Sequence, residues 1–381
     1  PTTAMARKAA TPAKVARDPM RRALALAARG RFTVAPNPQV GAVLVRDGRV
    51  VGEGFHRRAG EAHAVVHALA AAGDAARGAT LYVTLEPCAH QGRTPPCADA
   101  VVAAGVARVV AAHRDPNPLT AGRGFARLLA AGIEVEVGVR AEEAIALNLP
   151  FLVAQVLGRP AVTLKWAATL DGRIATAGRE SQWITGAAAR HAALELREEH
   201  DALLVGVGTI VADDPRLTRR LGLAGAPNLR VVLDRRLRCP ASARLFDEAG
   251  PVVVYTAEDA AGSAQALVER GAEVVRLPEV SAAAVVADLN LRGVQSLLVE
   301  GGAAAAGAFF DSGLWDRVAV FVAPVLVGGE RALAPIGGLG VEHLAEAGRL
   351  ARLSAARRGE DLYLTGVNTE CLRALSSSVG V

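Results

Sequence analysis

Aromatic residues are scarce in this chain, since Phe, Trp and Tyr together make up 4% of its 381 residues. Proteins that bind single-stranded nucleic acid stack bases on aromatic rings, so this scarcity argues against such a partner. Acidic residues are absent from the first 17 positions, and the net charge of +5 is mostly supplied there by Arg7, Lys8, Lys14 and Arg17. The rest of the chain is close to neutral, so no basic face for nucleic acid is predicted.

Cysteines and long apolar runs are also few. Four scattered cysteines do not make a disulfide framework, and a reducing cytosol suits them best. No stretch reaches the roughly 18 consecutive apolar residues of a membrane helix, and the start lacks the order of a secretory signal. The sequence therefore predicts a cytoplasmic protein without a membrane partner. Residues 1–17 are interpreted as a disordered basic leader, although a transit peptide is conceivable.

Two series of strand and helix patterns divide the chain. The first, over 18–147, has a helix at 18–29, a hairpin turning at Asp47-Gly48 and then alternating helices and strands. This alternation predicts a mostly parallel α/β layer. The second series, over 148–366, contains β-rich runs separated by helical stretches. Residues 367–381 carry no clear signal and are expected to form a C-terminal tail.

One histidine and two cysteines in the first series have the composition of a zinc site: His63, Cys88 and Cys97. They fill three positions of a tetrahedral zinc and leave one open to water, as in catalytic rather than structural sites. The alternative is two buried cysteines and a core histidine that never meet, but the joint pattern favours zinc. His67 could share a helix face with His63, yet a metalloprotease motif would need Glu where Ala64 stands.

The proton-carrying residue of zinc deaminases is missing. Their pattern is His-x-Glu followed by Pro-Cys-x-x-Cys, and the Glu moves the protons. Here the matching position is Val65, which cannot carry a proton. Glu61 lies on the other side of His63 and is expected to point away, and Glu86 is not an obvious substitute. His90 is interpreted as a loop or substrate contact rather than a zinc ligand.

Two sets of motifs carry a family resemblance. PNPQVGAVLV, GEGFHRRAG, HAVV, TLEPCAHQGRTPPC and RDPNP resemble the deaminase half of the bifunctional riboflavin biosynthesis deaminase/reductases. LKWAATLDGRIAT, ESQWITG, AALELREEHDALLVGVGTIVADDPRLTRR, RVVLD and LLVEGG resemble the reductase half. The resemblance covers about residues 18–340 in family order, and two long motif sets in the right sequence are highly specific.

The resemblance implies an α/β protein with a cytidine-deaminase-like three-layer domain followed by a dihydrofolate-reductase-like domain, assembled as a homodimer. The first domain would use zinc to deaminate a diaminopyrimidinone that carries a ribosylamino 5-phosphate. The second would use NADPH to reduce the ribosyl group to a ribityl chain. General acid–base catalysis typically raises a reaction rate by roughly 10²–10⁴-fold. Because Val65 cannot supply it, we expect a chain that binds zinc but deaminates very poorly.

The same resemblance assigns residues in the second domain. Substrate contacts match Ser181, Arg197, Leu217, Arg220 and Glu300. NADPH contacts match Ala168, Trp183, Thr209, Asp213 and Gly302. Arginine suits a phosphate because its guanidinium binds two oxygens at once, and the glycines before a helix let a phosphate approach its backbone N–H groups. For Lys165 and Asp171 the sequence leaves two roles open, substrate positioning or a structural ion pair.

Three other functions compete with this interpretation. The first is a reductase whose N-terminal domain is only a zinc-stabilised scaffold. The second is a nucleic-acid base deaminase, which the few aromatic residues disfavour. The third is a purely structural zinc protein, against which the reductase motifs argue.

Overall fold

The computed structural model describes residues 17–90, 95–118 and 120–381, so the predicted basic leader lies outside the described residues apart from Arg17. The chain divides into two units. One runs up to Leu147 and includes Val379–Val381, and the other runs from Asn148 to Ser378. Among the described residues, every helix is too short or too polar to span a membrane.

The first unit is built on a five-stranded sheet with the order β2-β1-β3-β4-β5. Its elements are, in chain order, α1 (Pro19–Ala27), β1 (Gly41–Arg46), β2 (Arg49–Phe55), α2 (Ala64–Ala72), β3 (Thr80–Val83), α3 (Cys97–Ala103), β4 (Arg108–Ala111), α4 (Arg123–Ala130), β5 (Glu134–Val137) and α5 (Ala141–Leu147). β1 pairs antiparallel with both β2 and β3, whereas β3, β4 and β5 are parallel. The expectation of a mostly parallel layer is therefore wrong, because the hairpin reverses the chain and β1 lies inside the sheet.

The hairpin turn itself is as predicted. Asp47 and Gly48 have φ values of 51° and 70°, and two consecutive residues with positive φ are typical of the type I′ turn that joins twisted strands. Beyond the turn, side chains of β1 alternate between the two faces of the sheet. Leu44 packs with residues of α2, α3 and α4, and Val43 packs with residues of α1 and α5. The unit therefore has three layers, helices on both faces of a sheet, as expected.

The second unit is built on a nine-stranded sheet with the order β10-β9-β8-β7-β11-β6-β12-β14-β13. Its elements are α6 (Leu149–Leu157), β6 (Ala161–Thr169), α7 (Ala187–Glu199), β7 (Ala202–Gly206), α8 (Val207–Asp213), β8 (Leu229–Leu233), β9 (Val252–Ala257), α9 (Gln265–Glu269), β10 (Ala272–Leu277), α10 (Ala282–Leu291), β11 (Ser296–Glu300), α11 (Ala303–Asp311), β12 (Arg317–Ala323), β13 (Leu350–Arg358), β14 (Asp361–Asn368) and α12 (Thr369–Val379). The strands from β10 to β12 are parallel, and β13 and β14 form an antiparallel hairpin at one end.

The strand order reverses at the centre of this sheet. From β6 the chain crosses to β7 and continues outward to β10, then returns to insert β11 between β7 and β6 and adds β12 on the far side. Ligands of open α/β sheets bind outside the carboxyl ends of the strands where the order reverses. The carboxyl ends of β6, β7 and β11 are therefore the place to look for a ligand site.

The C-terminal segment corrects the expectation of a tail over 367–381. Residues 367–368 end β14, and Thr369–Val379 form α12. The helix buries Cys371, Leu372 and Leu375, whose spacing is that of one helical face. Strand β13 is also absent from the sequence interpretation, because its residues LARLSAARR are rich in Ala and Arg and contain no β-branched residue.

Candidate metal centre and ligand site

The three candidate zinc ligands lie together beside the amino ends of two helices. His63 directly precedes α2, Cys97 is the first residue of α3, and Cys88 lies in the loop after β3. Their ligand atoms lie within 4.8 Å of one another. Nδ1 of His63 is 3.2 Å from Sγ of Cys97 and 3.5 Å from Sγ of Cys88.

These separations suit a tetrahedral zinc ion. Zinc–sulfur bonds of about 2.3 Å and zinc–nitrogen bonds of about 2.1 Å place the nitrogen and sulfur ligands roughly 3.5 Å apart. One imidazole and two thiols are also ligand types that zinc prefers. The residues present therefore fit zinc, with one coordination position left over.

Cys88 is the more acidic of the two thiols. The thiol of Cys97 donates a hydrogen bond to the Cys88 sulfur and, with a smaller contribution from His63, lowers the pKa of Cys88 to about 4. The backbone N–H of Cys97 donates to the same sulfur at 3.3 Å. The Cys88 thiolate in turn raises the pKa of His63. A stabilised thiolate is the form in which cysteine binds metal.

Val65 lies in the apolar cluster next to this centre and presents no ionisable group. It is the second residue of α2, is 2% exposed, and belongs to the apolar cluster that contains Cys97 and contacts Cys88. Glu61 is exposed, and its carboxylate lies 3.8 Å from the guanidinium of Arg58. The nearest acidic residue in the sequence is therefore directed to the surface, as expected.

Glu86 is buried and fully occupied by backbone groups. Its two oxygens accept hydrogen bonds from the N–H groups of Asp115 at 3.1 Å, Gly122 at 3.0 Å, Gly124 at 2.9 Å and Phe125 at 3.3 Å. The carboxylate thus anchors the segment between β4 and α4. Because each of these donors would lose its partner if Glu86 turned towards the zinc centre, the carboxylate is held in a structural role.

Sequence reasoning assigned no role to two polar residues beside the centre. The rings of His56 and His63 stand at 88° with centroids 5.4 Å apart. Nε2 of His56 is 3.1 Å from the Asn37 side-chain amide, and burial lowers the pKa of His56. Asn37 belongs to the motif PNPQ, which precedes β1. His56 belongs to the motif GEGFH and directly follows β2. His90 is hydrogen-bonded to Thr120 at 3.2 Å.

In the second unit, the structure brings two predicted substrate residues together at the end of β11. Glu300 accepts hydrogen bonds from Arg197 Nε at 2.7 Å and from Lys165 Nζ at 2.9 Å. Burial alone would raise the pKa of Glu300, but the two cations outweigh it and lower that pKa to about 2. Lys165 therefore does form an ion pair, since the register of β6 and β11 places it opposite Glu300.

The other predicted substrate residues lie outside this ion triad. Partial burial, and then the charges of Arg197 and Arg216, lower the pKa of Arg220, so several cations lie close together here. Leu217 is 1% exposed with a φ of 52°, so only its backbone can face a ligand. Ser181 is half-buried in the segment after β6.

Thr209 and Gly302 meet between the ends of β7 and β11. A Cβ placed on Gly302 would lie 3.4 Å from the Thr209 hydroxyl, and one on Gly301 would lie 3.6 Å from it. Both glycines have positive φ, and the amino end of α11 has no side-chain cap among the described residues. Backbone N–H groups behind two glycines fit a cofactor phosphate.

The remaining cofactor candidates lie on β6, on α8 and in the segment between β6 and α7. The side-chain amide of Gln182 donates to Asp213 at 3.2 Å, which ties the segment carrying Trp183 to the last residue of α8. Trp183 is 71% exposed, and the Arg190 guanidinium lies 4.8 Å from its ring centroid. Ala168 is buried near the end of β6. Asp171 accepts from Thr169 and from the N–H of residue 328, so it holds a turn.

Family models match both halves of the chain. Residues 14–113 match the zinc-binding region of cytidine and deoxycytidylate deaminases, and residues 160–364 match the RibD C-terminal domain.

Two curated proteins called riboflavin biosynthesis protein RibD are similar over most of the chain. The Aquifex aeolicus protein is 44% identical over 346 residues, which are 91% of this chain and 96% of that protein. The Escherichia coli protein is 44% identical over 366 residues, which are 91% of this chain and 97% of that protein.

Solved structures agree. Acinetobacter baumannii RibD superimposes with a TM-score of 0.78 at 41% identity and covers 92% of this chain and 98% of its own. A diaminohydroxyphosphoribosylaminopyrimidine deaminase/5-amino-6-(5-phosphoribosylamino)uracil reductase from Thermotoga maritima gives 0.77 at 36% identity and covers 92% and 97%.

Proposed function

This chain belongs to the RibD family of riboflavin biosynthesis proteins, and from that premise we propose what its residues do. The family combines a zinc-dependent deaminase with a reductase that uses NADPH, a hydrolase and an oxidoreductase in one chain. The substrates we propose are 2,5-diamino-6-ribosylamino-4(3H)-pyrimidinone 5′-phosphate for the first unit and 5-amino-6-(5-phosphoribosylamino)uracil for the second. The first loses an amino group as ammonia, and the second is reduced to its ribityl form.

In the first unit, His63, Cys88 and Cys97 would hold zinc, which when bound supplies activation of a water molecule. The imidazole of His56 is held by the Asn37 amide and the Ala62 carbonyl, and it stands edge-on to His63, where it would fix the ring of that zinc ligand. Deamination also needs a group that takes a proton from water and delivers it to the ring and to the leaving ammonia. Neither Val65 nor Glu86 can do this.

The observation that carries our conclusion about this unit is the buried, apolar Val65 at the proton-carrying position. We therefore propose a chain that keeps the zinc site and has lost most of its deaminase rate. The second candidate function, a reductase whose first unit is a zinc-stabilised scaffold, is favoured by the same residue.

The test compares ammonia release by the full chain, its Val65→Glu variant and its Val65→Gln variant, all at equal zinc content. Glutamate should raise the rate by at least about 100-fold, within the range of general acid–base catalysis. Glutamine has nearly the same shape but cannot take up or release a proton near neutral pH, so it should stay as slow as the parent. Equal rates for the parent and Val65→Glu would refute the proposal.

In the second unit, hydride transfer needs mainly the alignment of the nicotinamide with C1 of the sugar. We assign the substrate phosphate to Arg220 and Arg197, whose guanidinium groups can each bind two phosphate oxygens. Glu300 fixes Arg197 through the buried ion triad with Lys165. Ser181 and the backbone of Leu217 complete the substrate side.

The cofactor would be held on the other side of the same strand ends. We place a cofactor phosphate at Thr209, Gly302 and the amino end of α11, where the missing Cβ atoms leave room for it. Trp183, Asp213 and Ala168 flank the rest of NADPH. This arrangement is supported by its position outside the carboxyl ends of β6, β7 and β11.

We further propose that the chain forms a homodimer through β13. This strand is the last of the nine-stranded sheet, and Leu353 on it is 64% exposed. Leu339 and Leu344, in the segment leading to it, are 95% and 86% exposed. Exposed apolar side chains beside a sheet edge are typical of an interaction surface. The cytoplasmic location and the absence of a nucleic-acid partner stay predictions.

A further inference from the structure

An open cavity of about 490 Å³ lies in the first unit beside the outermost strand, β2. This volume is within the range of small-molecule sites, roughly 300–1,000 Å³. The cavity is lined by Leu26, Arg29, Glu53, Gly54, Phe55 and Arg57. None of these residues has a role in the zinc centre or in substrate binding described above.

The cavity and the zinc centre lie on opposite faces of the sheet, because successive side chains of a strand alternate between faces. Phe55 faces α1, and the guanidinium of Arg29, which follows α1, lies 4.5 Å from its ring centroid. The neighbouring Gly54 faces α2, since a Cβ there would meet the backbone of that helix. His56 then lies against His63. A ligand in the cavity is therefore distinct from the pyrimidine that is deaminated.

Two cations share one aromatic ring in this cavity. The guanidinium of Arg57 lies 5.9 Å from the Phe55 centroid, in addition to Arg29 at 4.5 Å. Neither arginine has a carboxylate partner within the part of the chain that the structure describes. The carboxylate that lines the cavity, Glu53, is already paired with Arg22 of α1. The lining therefore carries unneutralised positive charge.

Each guanidinium is within cation–π distance of the ring, but the two like charges repel each other. Mutual repulsion of the two guanidiniums would be relieved by an anion between them. Guanidinium groups match phosphate oxygens in pairs, and Leu26 and Phe55 offer apolar surface for the rest of a ligand. We propose that the cavity binds the phosphate monoester of a small molecule, with its phosphate between Arg29 and Arg57.

The experiment measures binding of glycerol 3-phosphate to the full chain by calorimetry, in chloride of matched ionic strength. Every variant carries Arg220→Gln, which weakens the phosphate position proposed in the second unit equally in all of them. Arg29→Gln combined with Arg57→Gln should weaken binding by at least about tenfold, because two charge-assisted hydrogen-bond donors are lost. Both arginines are exposed, so the substitutions leave the core intact.

The matched control is Arg46→Gln, which removes an exposed arginine of the same hairpin outside the cavity. It should keep the affinity of the Arg220→Gln chain. The proposal is overturned if the double variant binds as tightly as the control, if Arg46→Gln weakens binding equally, or if the Arg220→Gln chain binds no glycerol 3-phosphate. Neither half-reaction is needed for the measurement, so its outcome is independent of the proposed activities.

Discussion

At the scale of single residues, the chemistry of the first unit was readable from residue types, because thiols and imidazole bind zinc wherever a fold brings them together. His63, Cys88 and Cys97 needed only proximity, which the structure supplies. The pairing of Lys165 with Glu300 was different. These residues are 135 positions apart, and only the register of β6 against β11 places them opposite each other. Local patterns contain no information about that register.

The zinc ligands lead to a direct prediction. Cys88→Ser and Cys97→Ser should each reduce bound zinc from about one per chain to nearly none, because a hydroxyl is a far poorer zinc ligand than a thiolate. Mass spectrometry of metal content after dialysis measures this. Cys239→Ser, which changes a buried thiol of the second unit, should keep its zinc. Unchanged zinc in both ligand variants would show that the two cysteines do not hold it.

Glu300 gives a prediction about pH. Its pKa falls from an ordinary value of 4.5 to about 2 on folding. Its charge therefore stabilises the fold above the ordinary value, and that stabilisation is lost as the pH falls towards 2. The free energy of unfolding of the parent should exceed that of Glu300→Gln at pH 6, and this difference should shrink by roughly 2 kcal/mol at pH 3.

Tryptophan fluorescence during urea unfolding measures this difference. It reports on the second unit, which contains Glu300, because Trp166, Trp183 and Trp315 all lie there. The exposed Glu346→Gln change serves as control and should give the same small difference at both pH values. A difference between the parent and Glu300→Gln that does not shrink would contradict the ion triad.

At the scale of elements, turns and strongly patterned segments could be predicted, whereas sheet pairing and weakly patterned edges could not. The Asp47-Gly48 turn is determined by two neighbouring residues that tolerate positive φ. The pairing of β1 with β3 depends on contacts across the whole first unit, so a mostly parallel layer was wrongly expected. Strand β13 lies at a sheet edge with few buried side chains, and its composition therefore lacks the usual alternation.

Strand β13 also carries the prediction about assembly. Placing a charge on its apolar surface with Leu353→Lys should weaken the homodimer, because a lysine would be buried in the interface without a partner. Sedimentation velocity should show a dimer for the parent and monomer for this variant at the same concentration. Leu291→Lys, which changes an 86% exposed residue at the end of α10, should stay dimeric. A monomeric parent, or a dimeric Leu353→Lys, would place the interface elsewhere or exclude it.

At the scale of the whole molecule, two units with different chemistry share one chain, and we expect one to be impaired and the other active. The first keeps the metal ligands but has Val65 where a proton carrier is needed. The second has the Arg197–Glu300 pair and the Thr209–Gly302 contact at the strand ends, where we propose that substrate and cofactor bind. Both statements followed from residue identity once the family motifs were recognised. The positions of His56 and Asn37 beside the zinc ligands, by contrast, required the three-dimensional structure.

The most direct measurement is NADPH oxidation by one preparation of the full chain, offered in parallel the diamino substrate and the already deaminated one. The account predicts rapid oxidation with the deaminated compound, and oxidation at least about 100-fold slower with the diamino compound, which must first pass the impaired deaminase step. Equal rates with the two compounds would contradict it, as would an absence of oxidation with the deaminated one.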